Sequence, residues 1–273
     1  MASELYLCAT PIGNLDDMTF RAVEILKNVD FIAAEDTRRT RKLLAHFDIH
    51  TPLIHYDENN RAVVGAKIID RLKSGESAAC VTDAGTPGIS DPGSDLVKNA
   101  IDGGIKIIPL PGACAAINAL IASGLDTTAF TFIGFLPRNR RSELLNELKT
   151  RRETLIFYEA PHRLQKTLDE LFDAFGARRV TLARELTKLH EEFIRGRLGE
   201  ISIENPRGEF VIVIEGNREG SAIKEILDTD APTVYNELLD KGIERKEAMR
   251  RTAKMFGLSR RDIYQMLLKE NER

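Results

Sequence analysis

The chain has 273 residues, is 42% hydrophobic and 30% charged, and carries a net charge of -3. That balance excludes a disordered polymer and supplies ample material for a buried core, and it argues against a protein coated all over with positive charge, so any nucleic-acid surface must be local. Cys8, Cys80 and Cys114 stand apart, each within or just after an apolar run, which predicts buried reduced thiols rather than a disulfide scaffold. No run is long enough to span a bilayer, and the first apolar stretch, Leu5 to Ala9, is short and follows Glu4, so neither a membrane partner nor a secretory leader is expected. A cytoplasmic location is the expectation.

In chain order, apolar runs at Leu5–Ala9, Phe31–Ala34, Ala78–Val81 and Ile105–Leu110 alternate with helical patterns at Thr19–Asn28, Arg61–Lys73 and Ser94–Asp102. These runs are apolar throughout, as expected of parallel strands covered by helices on both faces. The fold class is therefore α/β, with ligands binding beyond the carboxyl ends of the strands. A second set of strands is expected near Thr131–Ile133, Thr154–Tyr158, Val180–Ala183, Phe193–Arg197 and Phe210–Glu215, more closely spaced and more alternating, hence a mixed sheet. The segment from Pro232 to Arg273 reads as helices only, with Lys246–Phe256 and Ser259–Leu268 joined through Gly257 and Leu258, and Ser259 as an N-cap. The expected organisation is an N-terminal α/β domain (1–126), a second α/β domain (127–220) and a basic helical tail (221–273).

The loops at the expected strand ends are polar and rich in hinges: Thr10-Pro11-Ile12-Gly13-Asn14, Glu35 to Arg38, His55 to Asn59, and Pro109-Leu110-Pro111-Gly112. The most informative runs from Val81 to Pro92, V-T-D-A-G-T-P-G-I-S-D-P. Glycine there lets backbone approach a ligand, Pro87 and Pro92 limit the disorder lost on binding, and Asp83 and Asp91 supply acceptors.

Several site types lack their marks. There is no G-x-x-x-x-G-K-[ST] loop, no G-x-G-x-x-G after the first strand, and no nucleophile elbow around Ser90. His46, His50 and His55 lack an H-E-x-x-H motif or a cysteine pair, so no metal is expected. What remains is a pocket of acidic groups, backbone donors and small residues such as Ala113, Ala115 and Ala116, suited to a zwitterionic, adenosine-bearing ligand. S-adenosylmethionine fits, as does a sugar nucleotide or a regulator that is not hydrolysed.

The motifs D-A-G-T-P-G-I-S-D-P-G, P-L-P-G-A-C-A-A, A-T-P-I-G-N-L and A-R-E-L-T-K-L-H-E-E, in this order and spacing, resemble the tetrapyrrole methylase superfamily over nearly the whole chain. Within it they are most similar to the branch acting on small-subunit ribosomal RNA. The resemblance implies a two-domain fold with a parallel N-terminal and a mixed C-terminal sheet, S-adenosylmethionine between the domains, a homodimer, and 2'-O-methylation of a cytidine in the decoding centre of 16S ribosomal RNA. Carried over by motif, Pro11, Asp83, Gly85, Thr86, Pro87, Gly88, Pro111, Gly112 and Ala113 would hold the cofactor, closed over by Leu186, Thr187, Gly208 and Glu209. The opening Thr10–Asn14 departs from the more glycine-rich opening of the porphyrin-modifying branch, which weighs against a tetrapyrrole substrate.

Basic clusters at Arg38, Arg39, Arg41 and Lys42, and at Arg138, Arg140 and Arg141, follow expected strand ends and are the RNA-binding candidates. Ten basic against five acidic residues between Lys241 and Arg273 add a positive tail. Candidates to accept the ribose proton or orient the hydroxyl are Glu35, Asp36, Glu159 and Lys188, with His55 and His162 behind them. Each has a structural alternative: Asp36 capping the helix from Thr37, Glu159 pairing with Arg163, Lys188 pairing with Glu191 or Glu192, and His162 capping or packing. The competing functions are a tetrapyrrole methyltransferase, which requires a large apolar cavity, and a noncatalytic RNA-binding regulator built on the C-terminal helices.

Overall fold

A computed structural model of the protein describes residues 3–90, 93–203, 205–218, 231–240, 244–256 and 258–271. Asp91, Pro92, Lys241, Gly257 and Arg273, singled out above, lie outside the described residues, as does part of the tail's basic excess. The chain forms two compact units, Met1–Gly216 and Asn217–Arg273.

The first unit holds two five-stranded sheets. One is wholly parallel, in the order β3-β2-β4-β1-β5, from β1 (Glu4–Cys8), β2 (Phe31–Ala34), β3 (Leu53–His55), β4 (Ala78–Val81) and β5 (Lys106–Leu110). Helices α1 (Phe20–Asn28) and α2 (Thr37–His46) follow β1 and β2; α3 (Arg61–Lys73) and α4 (Ser94–Asp102) follow β3 and β4. Alternation of side chains explains the unbroken apolar runs. Phe31, Ala33, Ala78 and Cys80 pack with Ile68, Leu72 and Leu96 on one face, and Ile32, Ala34, Ala79 and Val81 with Ala22, Leu26 and Leu44 on the other. Strand β3 was not anticipated. It has three residues after Pro52 and exists by pairing with β2, so no local pattern announces it. At the other edge, β5 carries Pro109 opposite Leu7 of β1.

The second sheet is mixed, in the order β6-β7-β10-β8-β9, from β6 (Phe130–Phe135), β7 (Thr154–Glu159), β8 (Arg179–Arg184), β9 (Glu192–Arg197) and β10 (Phe210–Ile214). Only β6 and β7 run parallel; β10 is antiparallel to β7 and β8, and β9 to β8. Helices α6 (Arg141–Leu148) and α7 (Leu164–Phe175) cover one face, where Leu145, Leu168 and Leu171 meet Phe157, Leu182 and Ile212. The other face is covered by α5 (Ala115–Ser123), whose Ala116, Ala119 and Leu120 pack on Ile156, Ala183 and Val213. Helix α5 follows the last strand of the first sheet yet packs on the second, so the chain crosses between sheets at its start.

The second unit contains helices α8 (Ala231–Asp240), α9 (Arg245–Phe256) and α10 (Arg260–Asn271) around Ala231, Ala253 and Ile263. Ser259 caps α10 reciprocally: its Oγ accepts from Asp262 N–H at 3.2 Å, and the Asp262 carboxylate accepts from Ser259 N–H at 3.0 Å. The Ser259 hydroxyl and amide hold the Asp262 carboxyl below its usual range.

Candidate active site

Parallel strands bring all their carboxyl ends to one edge, and the loops there form one wall of a cleft of about 630 Å³. Ile12 comes from the loop after β1, Glu35 from that after β2 and Arg39 from the first turn of α2, and Asp83 to Thr86 with Ile89 and Ser90 from the loop after β4. The facing wall comes from the second sheet: Phe135, Tyr158 and Pro161, then Glu185, Leu186 and Lys188 between β8 and β9, and Gly208 to Val211 entering β10. Cys114 and Ala115 join the walls at the start of α5. The Tyr158 hydroxyl accepts from Ala116 N–H there at 3.1 Å, and its ring meets Phe132 and Phe135 edge-on.

Two loops of the first wall are fastened together. Thr10 and Gly85 exchange both backbone hydrogen bonds at 2.9 Å, with Gly85 at φ +87°. The Thr10 hydroxyl donates to Thr82 O at 3.1 Å, and the Thr86 hydroxyl to Ala113 O at 2.9 Å. The walls touch at Gly13, where a Cβ would lie 2.8 Å from both Leu186 O and Thr187 Oγ1, so no side chain fits. Three non-glycine residues around the cleft have positive φ: Ser90 (62°), Glu185 (51°) and Thr187 (66°). Such conformations cost about 1–3 kcal/mol each and persist only where surroundings impose them. Here the Glu191 carboxylate accepts from Thr187 N–H at 2.7 Å, and Glu185 O from Lys188 N–H at 3.0 Å.

The lining carries four carboxylates, Glu35, Asp83, Glu185 and Glu209, against the cations of Arg39 and Lys188. Asp83 is held between Arg39 Nη1 at 3.0 Å and Asp36 N–H at 3.1 Å. Burial, then the neighbouring Asp83 charge, raises the Glu35 carboxyl above its usual range, and Glu35 Oε2 is buried without a hydrogen-bond partner among the described residues.

Of the expected catalytic residues, the structure brings Glu35 and Lys188 to the cleft and uses Asp36 and Glu159 elsewhere. Asp36 caps α2, accepting from Arg38 N–H at 2.8 Å and Arg39 N–H at 3.4 Å, and these amides hold its carboxyl below the usual range. Glu159, 1% exposed, accepts from Thr167 Oγ1 at 2.6 Å and Ala160 N–H at 2.9 Å and pairs with Arg163 at 3.5 Å. The pairing expected of Lys188 is corrected: its ammonium meets Glu185 at 2.9 Å, because Glu191 bonds Thr187 and Glu192 pairs with Arg184. His162 is exposed, without the packing expected of it.

Among the expected cofactor residues, Asp83, Gly85, Thr86, Leu186, Gly208 and Glu209 line the cleft. Pro11, Pro87, Gly88, Pro111, Gly112, Ala113 and Thr187 are not part of the lining. Ala113 acts through its carbonyl on Thr86, and Gly112 lies against Ala9. Cys114 is only half-buried, unlike Cys8 and Cys80, whose thiols burial pushes up to about 12. Of the RNA candidates, Arg39 is bound to Asp83, Arg38 and Arg41 are exposed, and Arg140 pairs with Glu143 at 2.9 Å. Arg141 is mostly buried, against Glu170 at 2.7 Å and Thr167 at 2.8 Å. Sequence reasoning missed Ile12, Phe135, Tyr158, Glu185 and Val211 as lining residues. Ile12 and Glu185 lie inside the Thr10–Asn14 loop and the A-R-E-L-T-K stretch singled out above, whereas Tyr158 and Val211 sit in expected strands, and Phe135 just beyond one, with nothing to mark them.

The sequence pattern of the tetrapyrrole (corrin/porphyrin) methylases matches residues 4–202, which span both sheets through β9. The chain belongs to this family. The methylase is 50% identical to ribosomal RNA small subunit methyltransferase I of Halalkalibacterium halodurans, over 97% of this chain and 95% of the relative. It is 48% identical to the protein of that name from Synechocystis, over 97% of each chain, and 47% to that of Bacillus subtilis, over 95% and 92%. In fold it resembles uroporphyrin-III-C-methyltransferase from Thermus thermophilus (TM-score 0.55, 20% identity, 77% of this chain and 94% of that one) and a diphthine synthase (TM-score 0.63, 13%, 78% and 90%). No helix among the described residues is long and apolar enough to cross a membrane.

Methyltransferases of this family use S-adenosylmethionine. The residues present fit that group: the lining has a surplus of carboxylates for a sulfonium and an ammonium, unpartnered acceptor capacity at Glu35 Oε2, and a volume within the range of small-molecule sites.

Proposed function

We propose that this methylase transfers a methyl group from S-adenosylmethionine to the 2'-oxygen of a cytidine in small-subunit 16S ribosomal RNA, acting as a cytoplasmic homodimer. The observation that carries this reading is near-full-length identity of 47–50% to relatives named for that subunit's RNA. Exposed arginines Arg38, in the first turn of α2 next to the cleft residue Arg39, and Arg138, three residues beyond the cleft residue Phe135, support a polyanionic substrate.

The donor supplies an electrophilic methyl on a positively charged sulfur. The chain's task is alignment, which contributes on the order of 7–11 kcal/mol where two reactants are held in an attacking geometry. Asp83, fixed by Arg39 and the Asp36 amide, is assigned to the donor, with Gly85, Thr86, Leu186, Gly208 and Glu209 around it. Glu35 is the stronger candidate to take the hydroxyl proton, at its unpartnered Oε2, because Lys188 is occupied by Glu185. The test is incubation of the full chain with labelled methyl donor, isolated small subunits and free tetrapyrrole. Label in the RNA, mapping to a ribose 2'-oxygen, is expected. Label in the pigment alone would replace this reading with small-molecule methylation, and no transfer would leave an RNA-binding regulator.

A further inference from the structure

Beside the cleft lies a second groove, of about 410 Å³, lined by Arg138, Arg141, Ala160, His162, Arg163 and Lys166. It shares its supports with the cleft. Pro161 lines the cleft while its neighbours Ala160 and His162 line the groove, and Phe135 ends β6 at the cleft while Arg138 follows in the loop beyond it.

The groove has a fixed floor and a free rim. Arg141 is anchored by Glu170 and Thr167, and Arg163 by Glu159 at 3.5 Å and Leu136 O at 3.2 Å. A guanidinium has five N–H groups, so these contacts leave donors on both. At the rim, Arg138 and His162 have no hydrogen bond or ion pair among the described residues, and Lys166, 78% exposed, has only Glu170 at 3.9 Å. The two carboxylates that balance this charge are both engaged with the floor: Glu159 is buried beneath Arg163, and Glu170 is tied to Arg141. Four cations and a histidine thus face one concavity at the start of α7, where the helix end adds partial positive charge. A merely solvated face would intersperse both signs; none of the residues lining this groove is acidic.

We infer that this groove holds a backbone phosphate of the RNA substrate and thereby sets the target ribose over the cleft. The inference rests on the RNA-methylation reading above and deepens it, making Arg138 and Lys166 positioning residues rather than catalytic ones. Phosphodiester oxygens match the chemistry: acceptor-only and anionic, suited to a guanidinium fork and an ammonium together.

The test uses the full chain carrying Arg138→Gln with Lys166→Gln, and separately Lys166→Glu, sparing Arg141 and Arg163 because their ion pairs support the fold. Three readouts are needed: donor affinity by calorimetry, binding of naked small-subunit RNA and of isolated subunits across a salt series, and methyl-transfer kinetics. Losing a charge-assisted contact should raise KM for RNA about ten-fold or more with kcat and donor affinity little changed, and lower the salt slope by about one. Unchanged KM and slope in both variants overturn the inference. So does weakened binding to subunits but not to naked RNA, since the groove would then face an acidic protein surface. If the wild type transfers no methyl to RNA, the functional reading fails on its own, and the binding series still decides whether the groove takes RNA phosphate.

Discussion

The two walls of the cleft are built by different rules. The first gathers loops from a parallel sheet, where topology delivers every carboxyl end to one place, so a few hinge residues suffice and Gly85 takes its left-handed turn without steric cost. The second comes from a mostly antiparallel sheet, and there Glu185 and Thr187 take left-handed conformations without being glycine. The first wall has one left-handed non-glycine residue, Ser90, and the second has a left-handed glycine, Gly208, but only the loop between β8 and β9 holds two such strained residues, imposed by their neighbours.

The largest test of that contrast removes the support of the second wall. Phe157→Ala, at a fully buried ring on β7 itself, next to Tyr158 and on the opposite face, should cost about 3–5 kcal/mol in denaturant unfolding. A cost under about 1 kcal/mol would mean that this sheet does not hold the wall rigid. Asp83→Ala tests the first wall. It should weaken donor binding roughly ten-fold or more in calorimetry while leaving RNA affinity near the wild-type value, and unchanged donor affinity would remove Asp83 from the site. Thr187→Gly should raise stability by about 1 kcal/mol by relieving its backbone, yet slow methyl transfer because the wall loosens. Loss of stability in this variant would show the conformation to be comfortable rather than imposed.

The smallest effect concerns Glu35. Its raised carboxyl value means that the folded chain holds this proton more tightly than the unfolded one does. The resulting stabilisation is present below the unfolded value and is lost as pH rises through the folded one. Glu35→Gln keeps the neutral form at all pH, so its stability advantage over wild type should be wider at about pH 8 than at about pH 4. A gap that does not vary with pH would argue against an electrostatic cost at this position.

These contrasts also explain what was legible in advance. The parallel sheet was readable because both of its faces are covered, so Phe31–Ala34 and Ala78–Val81 are apolar at every position. Strand β3 was not, since three residues with one buried neighbour leave no period to detect. Asp83 to Thr86 announced themselves through glycine and proline, whereas Phe135, Tyr158 and Val211 look like any other strand residues until the sheet delivers them to the cleft. Side-chain pairing was the least visible: Lys188 had carboxylates on both sides in sequence, and the engagement of Glu191 with Thr187 and of Glu192 with Arg184 leaves it Glu185.

Pro109 bears on how copies of this chain can associate. An edge strand with an imide in its middle lacks one amide hydrogen, so the outer side of β5 is a poor template for a further strand. That border is thus guarded against fusion with the sheet of another copy into one continuous ribbon.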